Sequence, residues 1–85
     1  MTEYKVDILK NDYWLGTGKY TDDGKLKFAG MLCSSERQSE KILKVIEKAI
    51  TIEKRIMKHL DEPLKNARGV ILMKGVKYEW KIKMK

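Results

Sequence analysis

Apolar residues recur along this chain with two periods, and the change from one to the other marks its elements. From Ser35 to about Leu60 the period is helical. At about 100° per residue, Ile42, Leu43, Val45, Ile46, Ala49, Ile50, Ile52, Ile56, Met57 and Leu60 share one continuous arc. Arg37, Glu40, Lys41, Lys44, Glu47, Lys48, Lys54, Arg55 and Lys58 take the other side. That arc spans roughly 180°, where a helix lying on one surface needs only a little over ~100°. Glu53 falls near its centre, a carboxylate among apolar neighbours. Ser35 with Gln38 fits a capping box at the start, Glu36 and Glu40 suit the positive end of the helix dipole, and Pro63 blocks continuation. Surface pairs such as Lys44 with Glu40 and Glu47 contribute only tenths of a kcal/mol, so this helix depends on burying its apolar arc.

Outside the helix the period is two. In Glu3–Lys10, Tyr4, Val6 and Ile8 alternate with Lys5 and Asp7, which predicts a strand ending at an Asn11-Asp12 turn. Tyr13–Tyr20 resumes the extended pattern across Gly16 and Gly18. Thr21-Asp22-Asp23-Gly24-Lys25 predicts a three-residue hairpin loop closed by a left-handed glycine. That register pairs Tyr20 with Leu26, Gly18 with Phe28 and Trp14 with Leu32, with Phe28 filling the space over Gly18. A two-residue Asn11-Asp12 loop puts Leu9 on the face carrying Trp14. A three-residue loop or a bulge puts Tyr4, Val6 and Ile8 there instead, and the odd loop is the expectation. After a short linker over 64–67, Arg68–Met73 and Val76–Met84 form a hairpin turning at Lys74-Gly75, with Ile71 facing Tyr78 and Met73 facing Val76. In its last strand Tyr78, Trp80, Ile82 and Met84 point one way; Lys77, Glu79, Lys81, Lys83 and Lys85 point the other. The order is strand-strand-strand-helix-strand-strand: an α+β domain with a mostly antiparallel sheet of about five strands on one long helix.

Composition narrows this picture. Eighty-five residues allow one domain, 1–85, with one modest core. No run of ~18 apolar residues exists to span a membrane, and the first residues lack the apolar centre of a signal peptide. One cysteine makes no internal disulfide, which points to a reducing, cytoplasmic setting.

Charge changes the picture more. Residues 1–35 carry five Lys and five acids, residues 36–62 seven basic and six acidic residues, and residues 63–85 seven basic residues against Glu79 alone. Almost the whole net charge of +7 therefore belongs to the last 23 residues.

Candidate chemistry is sparse. A single His and a single Cys offer no pair at metal-ligand spacing. Gly16-Thr17-Gly18 lacks the third glycine and strand-to-helix setting of a dinucleotide loop. Asp22 and Asp23 sit where a turn favours Asp. Cys33, just before the helix, reads as a small residue filling a junction, and His59 as a surface imidazole at the negative helix end. The expectation is a non-enzymatic binding domain with no cofactor and no metal.

Two classes of ligand compete. Lys77, Lys81, Lys83 and Lys85, joined by Lys74 and by Lys27 from the middle hairpin, form a ladder suited to the backbone of DNA or RNA, or to an acidic protein surface. The plainer explanation of such a ladder is an edge strand protected against aggregation. The alternative is a protein-binding inhibitor or regulator of the kind encoded by phages and mobile elements, acting alone or as a homodimer. It uses Leu15, Met31, Val70 and Leu72 on the sheet face away from the helix, with Glu53 at the seam of the over-wide helix arc.

Overall fold

The structure, a computed structural model, describes residues 3–60 and 67–83. Its elements are β1 (Glu3–Lys10), β2 (Tyr13–Thr21), β3 (Leu26–Lys27), α1 (Glu36–His59), β4 (Arg68–Met73) and β5 (Val76–Lys83). The strands make one sheet in the order β3-β2-β1-β5-β4, antiparallel throughout. The α+β architecture is the one the hydrophobic pattern predicts. Because α1 joins the strand at one edge to the strand at the other, it must travel across the sheet. Its 24 residues give it a length of about 36 Å, enough for that crossing.

The helix starts where Ser35, in extended conformation, accepts a hydrogen bond from the Gln38 N–H at 3.4 Å, and it closes at Leu60. Ser39, Ile42, Ile46 and Ile50 form its buried line. Val45, Ile52, Ile56 and Leu60 stay exposed. The over-wide arc thus divides into a central line that meets the sheet and a flank that meets solvent. Glu47 ties the helix to the short edge strand, its Oε2 accepting the Leu26 N–H at 2.9 Å, and the Thr51 and Tyr20 hydroxyls bond at 2.8 Å. Glu47 is therefore committed to β3, not to a surface pair with Lys44. Pro63 and the linker as far as residue 66 lie outside the described residues.

Val6 and Ile8 of β1, Tyr20 of β2 and Tyr78, Trp80 and Ile82 of β5 fill the core against the helix, joined by Leu26 and Leu32. The second hairpin has the expected register, with Ile71 opposite Tyr78 and Met73 opposite Val76. Gly69 is required there: a Cβ on it would come within 2.6 Å of the Trp80 ring.

The first hairpin departs from expectation. Its loop has two residues, Asn11 and Asp12, both at positive φ (48° and 70°), with Lys10 opposite Tyr13 and Leu9 opposite Trp14. A bulge then places Ile8 opposite Gly16, so Leu15 is the extra residue. The loop is even, and the bulge restores the phase. Leu9 and Trp14 share the face away from the helix, while Ile8, Val6 and Tyr4 share the inner one with Tyr20.

The third strand also differs. Tyr20 does pair with Leu26, but β3 ends at Lys27. Phe28 leaves the ladder, yet its ring still lies over Gly18 as expected, where an added Cβ would be 3.4 Å away. It also covers Gly16 and Gly30, where added Cβ atoms would lie 3.2 and 3.1 Å from the ring. Trp14 therefore has no partner in Leu32, which is buried with its N–H donated to the Ser39 hydroxyl at 2.7 Å. Two residues of pairing are held in place by the Glu47 bond rather than by a longer ladder.

Candidate functional site

One helix covers one face of the sheet. Among the described residues no element covers the other, and its residues are read directly from the strand registers. Lys27, Lys19, Lys5 and Lys83 stand side by side across β3, β2, β1 and β5. With neighbouring strands about 4.8 Å apart, these four span roughly 14 Å. The next row holds Thr17, Asp7, Lys81 and Arg68, and the row after it Trp14, Leu9, Glu79 and Val70. One end of the face is basic; the other carries Trp14, Leu9, Val70 and Leu72 around an ion-paired cluster of Glu79, Lys77 and Asp12.

The basic end is arranged against its own stability. Lys5 opposes both Lys19 and Lys83, Lys19 opposes Lys27, and Arg68 opposes Lys81. Like charges directly across a ladder disfavour pairing. Relief is partial: Glu3 lies 4.0 Å from Lys19, and Asp7 Oδ2 is 2.7 Å from the Lys83 ammonium. Lys5 and Lys27 make no ion pair with any described residue.

Among the described residues Asp7 is the one acid buried in this face, 6% exposed. Besides Lys83 it accepts the Thr17 hydroxyl at 2.6 Å and the Trp14 indole N–H at 3.3 Å. Burial pushes its carboxyl up, but the hydrogen bonds from Lys83, Thr17 and Trp14 outweigh it and hold the group below its ordinary value of 3.8. Trp14 is thereby fixed along one edge while 63% of its surface stays exposed.

The basic residues that the last strand suggested do not all lie together. Lys81 and Lys83 belong to the basic end, and Lys27 joins them across the sheet. Lys77 is engaged elsewhere, 2.8 Å from Asp12 and 3.2 Å from Glu79, which raises its pKa and lowers that of Asp12. Lys74 is an exposed turn residue at the other end of β5, and Lys85 lies outside the described residues. The sequence reading passed over Lys5, Lys19, Arg68 and Trp14. The three basic residues were visible as outward positions of their strands, but only the register reveals that they converge.

The proposed interface residues also separate. Val70 and Leu72 are exposed on the outer face. Leu15, expected beside them, is half-buried and packs against the core because it occupies the bulge. Met31 is exposed in the connection before α1, not on a strand. Glu53 is half-buried and bonds to no described residue, although it extends the line of Ile42, Ile46 and Ile50. Cys33 donates to the Ser35 carbonyl at 3.3 Å, and His59 is exposed in the last helical turn. Among the described residues no three His, Cys, Asp or Glu side chains gather as a metal site, and no helix is long and apolar enough to cross a membrane. The chain matches no family model, no curated protein and no solved structure.

Proposed function

We propose that this protein is a non-enzymatic domain that binds nucleic acid through the open face of its sheet. The observation that carries the reading is the row Lys27–Lys19–Lys5–Lys83, with Lys81 and Arg68 beside it. On this end of the face six basic side chains stand against Glu3 and Asp7, leaving four positive charges in excess. Like-charge pairs that oppose folding are relieved by a polyanion, and neutralising phosphates with lysines releases counterions from the nucleic acid. The result is attraction to DNA or RNA that carries no base sequence in itself. Anisotropy of a labelled mixed-sequence oligonucleotide tests the reading: binding is expected at low salt, with log affinity falling linearly against log salt. Absence of binding at low salt, or an affinity indifferent to salt, contradicts it.

A second reading has an observation of its own. The exposed flank of α1, with Val45, Ile52 and Ile56, is an apolar stripe that supports a protein partner or a second copy of the chain. Sedimentation of the protein alone over a range of concentrations measures the second of these.

A further inference from the structure

We infer that the ligand of the open face is a single strand, held by its phosphates on the lysine row and by one or more bases on Trp14. This rests on the nucleic-acid reading above and specifies its substrate class.

Three observations converge on it. The first is the presentation of Trp14. A large aromatic ring lies 63% exposed on the same face as the lysines, although its partner strand offers Leu9 directly opposite as cover. The ring is not loose, because its Nε1–H donates to Asp7 and Asp7 is held in turn by Thr17 and Lys83. An aromatic face fixed at one edge and open to solvent is a stacking platform with little ordering left to lose.

The second is spacing. Lys5 and Leu9 lie on the same side of β1, four residues apart, so the lysine row and the Trp14–Leu9 row are separated by about 13 Å. Long lysine side chains lean across part of that distance, and a nucleotide extends from phosphate to base across the rest. A strand laid along the lysine row, crossing the β-strands, points its bases at Trp14 and Leu9. The next position of that row is Glu79, whose carboxylate is held 3.2 Å from the Lys77 ammonium, so the stacking end is Trp14 and Leu9.

The third is the shape of the face. Reading a duplex through its major groove uses a helix or a two-stranded ribbon that projects into the groove, and no described element projects from this side. In a duplex the π-faces of the bases are covered by their neighbours. In a single strand they are free to leave the stack and lie on an aromatic side chain. An open sheet face with a tryptophan and a basic margin serves the single strand.

The chain carries its own reporter. It has two tryptophans, and Trp80 is 3% exposed in the core, so quenching by added nucleic acid reads Trp14. The experiment titrates the protein with oligo-dT, with oligo-U, with an abasic phosphodiester of equal length and with a duplex of equal length. Affinity is followed by anisotropy and stacking by tryptophan quenching. The base-bearing single strands are expected to quench and to bind more tightly than the abasic strand and the duplex. Trp14→Ala is expected to weaken oligo-dT or oligo-U by about tenfold or more while leaving the abasic strand unchanged, and Trp14→Phe to keep most of the affinity without the quenching. The ratio of the oligo-dT and oligo-U affinities distinguishes DNA from RNA. Equal binding of abasic and base-bearing strands, or tighter binding of the duplex, overturns the stacking inference and leaves the basic face as a phosphate site. Failure of all four probes to bind at low salt overturns both.

Discussion

Asp7 concentrates the tension between folding and binding in one side chain. It is buried on the face otherwise richest in lysine, and it neutralises Lys83 while anchoring Trp14. Asp7→Asn keeps the shape and removes the charge, so chemical denaturation is expected to show a loss of about 1–3 kcal/mol, the size of hydrogen bonds to a charged group. Binding to a polyanion is expected to move the other way and tighten, because Lys83 loses its internal partner. A variant that loses stability and affinity together would mean that Asp7 holds the site in shape rather than masking it. The sign of the pH effect follows from the depressed carboxyl. The native state takes up the Asp7 proton less readily than the unfolded chain, so the contribution is complete above the unfolded value of about 4 and is lost as the pH falls through the lower native value. The stability gap between parent and Asp7→Asn is therefore expected to stay constant from pH 8 to 5 and to close in more acidic solution. A gap that opens toward low pH would contradict the assignment.

At the scale of elements, local signals and long-range ones divide what the sequence made legible. The helix, its Ser35 cap and both β-strands of the second hairpin were readable, because period, cap and turn chemistry all act within a few residues of each other. A bulge was legible only as the alternative to an odd loop, and its position at Leu15 was not legible, since it depends on which face the rest of β2 must present. Preferring the odd loop moved Trp14 into an imagined core and Leu15 out of the real one. The length of β3 was likewise invisible, because where Phe28 leaves the ladder depends on its ring covering Gly16, Gly18 and Gly30 together, glycines that lie up to 12 residues before it and two after it. The site is a product of registers across four strands, so its halves could be seen separately but not their convergence. The turns carry a prediction of their own. Lys74 sits at a φ of 50° beside Gly75 at 79°, a pair of left-handed conformations that suits Asn-Gly far better than Lys-Gly. Lys74→Asn is expected to stabilise the fold by up to about 1 kcal/mol, read as a higher denaturation midpoint, with nucleic-acid affinity nearly unchanged because Lys74 lies away from the basic end. A loss of stability would contradict the assigned turn, and a large loss of affinity would bring Lys74 into the site.

Over the whole molecule the excess charge of +7 has two places to act. One is the open sheet face; the other is the solvent side of α1, where Arg37, Lys41, Lys44 and Lys48 are exposed. Net charge alone attracts a polyanion to either, so affinity by itself does not separate a site from a general field. Position does. The most direct measurement compares two triple variants that remove the same charge: Lys5, Lys19 and Lys27 to Gln on the sheet, and Lys41, Lys44 and Lys48 to Gln on the helix. Each is titrated with one single-stranded oligonucleotide across a series of salt concentrations, with circular dichroism to establish that both remain folded. The sheet variant is expected to lose most of its affinity and to flatten the dependence of log affinity on log salt by about 2, roughly 0.7 for each phosphate contact removed from a single strand. The helix variant is expected to keep the parental slope. Equal losses in the two variants, or a loss confined to the helix variant, would contradict the open sheet face as the nucleic-acid site.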